Sequence, residues 1–278
     1  MLIASSGHAQ NLFVSVPGAI TEITPGGAQS TFASGFGPYG LAFNSAGDLF
    51  VAVNSSSSIY EFKNNNGTLN TSPTVFASGL DNPVGLAFNS AGDLFEADMD
   101  SGHIYEFTPG GAQSTFASGL NLPGGLAFNS AGDLFEADYS GNIYEFTPGG
   151  ARSTFASGLN NAIGLAFNSA GDLFESNWGT GNIYEFTPGG VRSTFASGLS
   201  DPRGLAFNSG GDLFEEDEGT GTINEFTPGG VRSTFADLPS QSVGLAFQGV
   251  TLPVPEPPAL GLLGVGMFGL TFLRRHQR

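Results

Sequence analysis

Cysteine is absent from this 278-residue chain, and basic residues are scarce. Without cysteine the protein has no disulfide framework, no thiolate nucleophile and no metal site built from thiolates. Eight lysines and arginines stand against 25 aspartates and glutamates, which gives a formal net charge of −17. Because so acidic a chain repels the phosphate backbones of DNA and RNA, we expect no nucleic-acid partner.

The residues in excess are glycine, with 43 copies, and phenylalanine, with 26. Phe, Ile, Val and Thr recur in short runs between glycine-rich turns, a pattern that predicts β-strands and an all-β protein. Charged residues make up only 12% of the sequence, so enough apolar residues are present for a sizeable core.

A repeat of about 40 residues fills most of the chain, and residues 125–159 show it as GLAFNSAGDLFEADYSGNIYEFTPGGARSTFASGL. The other GLAF starts are at Gly40, Gly85, Gly164, Gly204 and Gly244. Each full copy holds four short β-like runs, and four antiparallel strands joined by hairpins make one propeller blade. In TPGG, Pro at the second position and Gly at the third predict a type II turn. In NSAGD, we expect Asn and Gly to supply positive φ angles.

The two ends of the repeat region complement each other. Before Gly40 lie only the last three runs of a repeat, and the final copy at Gly244–Gln248 has only the first run. Together these fragments predict an all-β, six-bladed β-propeller of four-stranded antiparallel blades over residues 11–249, closed by one C-terminal strand joining three N-terminal strands. An open row of blades would instead leave exposed strand edges.

The repeat can be written P-x-G-L-A-F-N-S-x-G-D-L-F-x-A-D, followed by an Ile-x-x-Phe run and a Pro-x-Gly turn. This pattern resembles the NHL repeat, and it is similar to the wider group of six-bladed propellers that contains gluconolactonase-type and streptogramin-lyase-type enzymes. The resemblance implies the architecture but not an activity, because this fold carries binding modules, hydrolases and lyases alike.

The C-terminus combines a Pro-rich motif, an apolar run over residues 259–273 and a basic end. The motif and basic residues are Val254, Pro255, Glu256, Pro257, Arg274 and Arg275. This order resembles the PEP-CTERM sorting signal of exopolysaccharide-producing Gram-negative bacteria. The resemblance implies export, transient anchoring in the inner membrane, processing by an exosortase-type membrane protease, and a final place at the cell surface or in the extracellular matrix.

These features divide the chain into four predicted segments. Residues 1–10 are interpreted as the remnant of a signal peptide or as a disordered leader, and residues 11–249 as the propeller. Residues 250–258 form a Pro-rich linker with the PEP motif. Residues 259–278 form a hydrophobic sorting or transmembrane tail, for which we expect a helix; a helix packed on the propeller or on a partner is the alternative.

Comparison of the repeats predicts which face of the ring binds a ligand. The NSAGD and TPGG turns are nearly uniform, so we expect their face to be structural. The loops after the second strand and before each GLAF vary, and loops carry most binding residues. The candidate residues on this variable face are Tyr39, Tyr139, Trp178 and Arg203, and the aromatic rings of the first three would suit a sugar. Ordinary packing between blades is the alternative interpretation of the rings.

Acidic residues on the second strands suggest a metal site. Glu96, Glu136, Glu175 and Glu215 each precede by two residues the candidate ligands Asp98, Asp138, Asn177 and Asp217. Residues two apart share one face of a strand, and clustered oxygens favour Ca²⁺. The interpretation we favour has the Asp side chains capping their own turns and the Glu side chains bonded to nearby hydroxyls and amides. The run 215–218 is predicted to be a solvated acidic loop.

The sequence favours a binding or scaffold module over an enzyme. Gluconolactonase-type propellers hold a divalent metal partly through residues just before the inner strand, where this chain has no carboxylate or amide. Lyase-type propellers rely on a histidine, and the repeat region offers only His103. The alternatives are a divalent-metal-dependent hydrolase or lactonase, and a purely structural coat protein. For a binding module, we expect a polysaccharide or protein ligand.

Overall fold

The computed structural model describes residues 10–238 and 242–249. The sorting-motif residues, the predicted tail helix and all but one residue of the predicted leader lie outside these ranges. Within them, no helix has both the length and the apolar character needed to cross a membrane.

The described residues form 26 strands and one short 3-10 helix, Asn54–Ser56. In chain order the strands are β1 (Leu12–Val16), β2 (Ala19–Ile23), β3 (Gln29–Ser34), β4 (Pro38–Phe43), β5 (Leu49–Val53), β6 (Ser58–Phe62), β7 (Asn64–Asn65), β8 (Thr68–Leu69), β9 (Thr74–Ser78), β10 (Pro83–Phe88), β11 (Leu94–Asp98), β12 (His103–Phe107) and β13 (Gln113–Ser118). They continue with β14 (Pro123–Phe128), β15 (Leu134–Asp138), β16 (Ile143–Phe146), β17 (Arg152–Ala156), β18 (Ala162–Phe167), β19 (Leu173–Asn177), β20 (Asn182–Phe186), β21 (Arg192–Ala196), β22 (Pro202–Phe207), β23 (Leu213–Asp217), β24 (Thr222–Phe226), β25 (Arg232–Asp237) and β26 (Gly244–Phe247).

These strands form six four-stranded antiparallel sheets, which are the six predicted blades. Blades 1 to 5 begin with β4, β10, β14, β18 and β22, and blade 6 has the order β26-β1-β2-β3. In blade 6, Leu12 pairs with Phe247, so the last strand of the propeller joins the first three as predicted. Blade 1 also carries the small β7–β8 hairpin, which accounts for its longer repeat.

The turns use glycine differently from the prediction. In the turn after β16, the Gly150 amide donates to the Thr147 carbonyl at 2.8 Å, and Gly150 has a φ of 80°. A type II turn requires positive φ at Gly149, which has none, so the type II prediction is wrong. The turn is type I followed by a left-handed glycine, a common hairpin connection. In NSAGD only Gly132 has positive φ, while the Asn129 side chain accepts from the Ala131 and Asp133 amides.

Phenylalanine fills the junctions between blades. Between blades 3 and 4, Phe135 lies 5.0 Å from both Phe155 and Phe167 in edge-to-face contacts, and Phe155 lies 5.7 Å from Phe186. Edge-to-face pairs of this kind are favourable beyond the apolar area that they bury. Comparable sets occupy the other junctions, except that Ile23 takes the fourth place between blades 5 and 6. The abundance of phenylalanine therefore reflects one packing unit repeated around the ring.

The inner strands of neighbouring blades approach each other through glycine. A Cβ atom on Gly125 would lie 2.1 Å from the carbonyl oxygen of Ile163 in the next blade. Gly40, Gly85, Gly164 and Gly244 show the same relation, with distances between 2.0 and 2.5 Å. The sixth glycine, Gly204, differs, because a Cβ atom added to it would have its nearest neighbouring atoms at 3.3 Å or more.

Candidate functional site

The six inner strands surround a narrow central channel, and residues before each GLAF motif line a cavity of about 110 Å³ at one mouth. Tyr39, Tyr139 and Arg203 lie in its wall. They belong to blades 1, 3 and 5, so the ring brings together side chains that are 100 and 64 residues apart in the sequence. Three of the four residues proposed for the binding face therefore share one cavity.

An ion pair organises this mouth. The Nε of Arg203 donates to the Oε2 of Glu218, and both side chains are largely buried. Burial alone would lower the pKa of Arg203, but the Glu218 carboxylate outweighs it and raises that pKa. Burial also raises the pKa of the Tyr139 hydroxyl, against the opposing influence of the Arg203 cation beside it. The mouth thus presents an aromatic hydroxyl and a guanidinium that is held in place by its ion pair.

Trp178 does not line this cavity. Its backbone amide donates to the Asn161 carbonyl at 3.1 Å, and its indole N–H is buried without a hydrogen-bond partner. The structure therefore separates Trp178 from the Tyr39, Tyr139 and Arg203 group. Glu218 does not line the cavity either, but its ion pair with Arg203 connects it to the group, and sequence reasoning had assigned Glu218 to a solvated loop.

The four candidate metal ligands lie at the ends of the second strands and are fully buried or nearly so. Asp98 accepts from the Asp81 amide at 2.7 Å, and Asp217 accepts from the Ser200 amide at 2.9 Å. Asp138 accepts from the Asn142 amide at 2.9 Å, and Asn177 accepts from the Thr180 hydroxyl at 2.7 Å. The Asp98 and Asp217 bonds hold the loop that enters the blade, whereas the Asp138 and Asn177 bonds lie within the residue's own turn. Asp217 also accepts from the Thr220 amide at 3.2 Å, so it caps its own turn as predicted for the aspartates.

The glutamates on the same strands differ from the favoured interpretation. Neither oxygen of Glu96 or Glu136 has a hydrogen-bond partner, and each residue is fully buried. Glu175 accepts one bond from Asn177 at 3.2 Å, and Glu215 accepts one from Asn224 at 2.9 Å. The prediction that hydroxyls and amides satisfy these glutamates is therefore wrong for two of them and only partly right for the others.

Burial is the main cause of a large rise in the pKa of each of these carboxyl groups. It raises the pKa of Glu96 to about 9, and the pKa values of Glu136, Glu175 and Glu215 to about 8. The neighbouring Asp98 contributes further to the rise at Glu96. A carboxyl group with such a pKa is protonated and neutral at pH 7, as expected where water is excluded.

The predicted solvated loop 215–218 is wrong in its first three residues, because β23 runs to Asp217 and is buried throughout. Glu216 lies between blades 5 and 6, and burial raises its pKa to about 8. At the equivalent place the other blades carry Ala52, Ala97, Ala137, Ser176 and Ser15. The replacement of Ala or Ser by Glu216 was visible in the sequence. It marks the junction between blades 5 and 6, where Gly204 lacks the close approach to the next inner strand that the other five glycines make.

The carboxylates of the repeats do not converge within the two described ranges, where no group of three or more His, Asp or Glu side chains is placed to hold a metal ion. Calcium binding by Asp98, Asp138, Asn177 and Asp217 therefore stays a prediction from the sequence.

The sorting signal predicted from the C-terminal residues is matched by a family model. Residues 253–275 match the PEP-CTERM protein-sorting motif. The chain carries a PEP-CTERM sorting signal. Such a signal implies export and membrane-anchored sorting. No curated protein sequence matches the chain.

Three solved structures that are similar to the chain are distant from it in sequence. A chain of a nidogen–laminin complex is 20% identical, with a TM-score of 0.78 over 86% of this chain and 98% of that one. Virginiamycin B lyase from Staphylococcus aureus is 15% identical, with a TM-score of 0.64 over 83% and 84% of the two chains. A gluconolactonase from Xanthomonas campestris is 18% identical, with a TM-score of 0.69 over 88% and 86%. At such identities these similarities establish the NHL-like propeller fold alone.

Proposed function

We propose that this chain is an exported binding or scaffold module that is sorted through its PEP-CTERM signal to the cell surface or the extracellular polysaccharide matrix of a Gram-negative bacterium. The observation that carries the proposal is the sorting motif at residues 253–275. The propeller supplies a rigid ring, and the mouth with Tyr39, Tyr139 and Arg203 supplies the candidate binding site.

The charge of the chain narrows the ligand class. With a net charge of −17, the protein repels polyanions such as uronate-rich polysaccharides. Arg203 is also already paired with Glu218, so it offers little free positive charge to an acidic sugar. Aromatic rings with polar edges suit the apolar faces and hydroxyl groups of a neutral sugar. The proposed ligand is therefore a neutral polysaccharide or a protein, rather than an acidic glycan.

The binding proposal predicts that Tyr139→Ala weakens binding to neutral oligosaccharides by at least about fivefold, because truncating an aromatic anchor costs more than about 1 kcal/mol. A glycan array followed by isothermal titration measures this. Tyr184→Ala is the matched control, since it removes the same ring from β20, where the ring lies under Arg192 and away from the channel mouth. Equal affinity of both variants, or binding confined to acidic glycans, would contradict the proposal.

The sorting proposal predicts that Glu256→Ala prevents removal of the tail in a Gram-negative host that has an exosortase. The wild-type protein should lose its C-terminal segment and leave the inner membrane, while the variant stays at full length in the membrane fraction. Mass spectrometry of the cell fractions reads out both effects. Thr251→Ala, just outside the matched residues, is the control and should be processed normally. Normal processing of Glu256→Ala would show that the motif is not read.

The second candidate is a divalent-metal-dependent hydrolase or lactonase. It is supported by the shape similarity to a gluconolactonase and by the buried Glu216 beside the channel wall. Metal analysis of the purified full chain separates the candidates, because only the hydrolase requires a stoichiometric divalent ion.

A further inference from the structure

The opposite mouth of the channel, on the face with the uniform turns, is strongly apolar. A cavity of about 370 Å³ opens there, with walls of alanine, leucine, phenylalanine, glycine, asparagine and serine and without any charged side chain. One phenylalanine from each blade surrounds it: Phe43, Phe88, Phe128, Phe167, Phe207 and Phe247. A groove of about 480 Å³ adjoins it and shares three of these rings. The uniform face is therefore more than the structural surface that the repeats predicted.

The asparagine side chains at this mouth are already occupied. Asn89, for example, accepts from the Ala91 and Asp93 amides and donates to the Asp93 carboxylate. The remaining surface is mostly hydrocarbon, so its natural occupant is an uncharged apolar group.

The chain leaves the propeller at this same mouth. Phe247, the last residue of β26, is part of the cavity wall. The following residue is fixed to the ring, because the Gln248 amide donates to the Asn11 carbonyl at 3.0 Å and the Gln10 side chain donates to the Gln248 carbonyl at 3.0 Å. Gln10 also accepts from the amide of Ser209, which lines the adjoining groove. The C-terminal segment therefore starts at the edge of the apolar mouth.

The sequence beyond this point provides a matching occupant. Nine residues, 250–258, separate the exit from the apolar run 259–273, which has no charged residue. Nine residues reach up to about 30 Å when extended, more than enough to return to a mouth whose wall includes Phe247. A tether of this length keeps the local concentration of the run in the millimolar range. The basic end of the tail also complements a body with 24 of the 25 carboxylates in its first 250 residues.

We propose that part of the apolar run 259–273 docks in the phenylalanine-lined mouth of its own propeller while the tail is not in a membrane. The cavity and groove hold several apolar side chains rather than the whole run. Once the ring has closed, docking shields them from water, and the membrane or the sorting protease then competes for the same segment. This is a binding role for the propeller that does not depend on a sugar or protein ligand at the other mouth.

Disulfide trapping in the full chain tests the proposal, and the absence of cysteine makes each introduced pair unambiguous. The test pair joins Ser90→Cys, exposed at the apolar mouth, with Gly264→Cys in the run. The control pair joins Ser56→Cys, exposed in the turn between β5 and β6 on the opposite face, with the same Gly264→Cys. Both are oxidised in detergent-free buffer and analysed by non-reducing electrophoresis and mass spectrometry.

We expect the mouth pair to form an intramolecular disulfide in at least fivefold higher yield than the control pair, a ratio that corresponds to about 1 kcal/mol. Adding Ala87→Arg in the mouth should reduce that yield to the control value, with thermal unfolding showing that the ring is intact. Equal yields for both pairs would overturn the proposal. Disulfides found only between copies would also overturn it and would show that the mouth receives the tail of a second molecule.

Discussion

Replacing Gly125 by alanine is expected to destabilise the propeller by about 3 kcal/mol or more, at or above the upper end of the usual cost of overpacking a core. The new Cβ atom would lie 2.1 Å from the Ile163 carbonyl oxygen, which belongs to the backbone of the next inner strand. Neither partner is a flexible side-chain end, so the two blades must move apart and loosen the adjoining phenylalanine contacts. Chemical denaturation followed by circular dichroism measures the change.

The chain contains two matched controls for this substitution. Gly204→Ala occupies the equivalent place in blade 5, where the nearest atom would lie 3.3 Å away, so we expect a cost of at most about 1–2 kcal/mol. Gly149→Ala lies in a surface turn with its nearest neighbour at 4.0 Å and should cost less than about 1 kcal/mol. Equal effects of Gly125→Ala and Gly204→Ala would show that the close approach of the inner strands does not limit stability.

Raising the pH from 5 to 9 is expected to lower the melting temperature of the propeller steeply. Burial raises the pKa of Glu96 to about 9 and the pKa values of Glu136, Glu175, Glu215 and Glu216 to about 8 from an ordinary value of 4.5. The folded state therefore keeps protons that the unfolded state releases. Their contribution to stability is fully present below pH 4.5 and is lost as the pH rises through about 8 to 9. Each group can contribute up to about 1.4 kcal/mol per pH unit.

The chain itself indicates the substitution that should remove this dependence. Blades 1 and 6 carry Val51 and Val14 where blades 2 to 5 carry the four repeated glutamates, and both valines are fully buried. We expect Glu96→Val to raise the free energy of unfolding at pH 8 by on the order of 2–4 kcal/mol and to flatten its pH profile. Asp100→Asn, at an exposed carboxylate, is the control and should leave the profile almost unchanged. If the free energy of unfolding changed with pH in the same way for wild type and Glu96→Val, Glu96 would not be a source of the pH dependence.

Much of the fold could be predicted because the same pattern of four strands and their turns recurs in five complete copies. The fragments on either side of the five complete copies determined both the blade count and the closing strand β26. The turn type could not be read with the same ease, because TPGG offers two adjacent glycines and only backbone geometry shows that Gly150, not Gly149, takes the positive φ. The spacing of Glu96 and Asp98 could not show that both are fully buried, because a propeller buries both faces of its second strands between blades.

The site was predictable only in part because it is assembled by the ring. Tyr39, Tyr139 and Arg203 stood out as departures from a uniform repeat, and the structure places them in one cavity. Their partner Glu218 follows three other acidic residues, and a run of charges is usually solvated. The apolar opposite mouth was missed because each phenylalanine there follows the uniform repeat and looks like an ordinary core residue. Only the arrangement of all six around the channel shows that together they form a surface.

The pairing of Leu12 with Phe247 has a consequence for the order of events in the cell. The edge of β1 stays open until a strand 232 residues later has been made, so the ring closes only after almost the whole propeller is available. Contacts this distant in sequence form slowly and favour an unfolded chain during synthesis. We expect a chain built in this way to stay open enough to thread through a narrow translocation pore, and to become a closed ring only after its last blade strand has reached the far side.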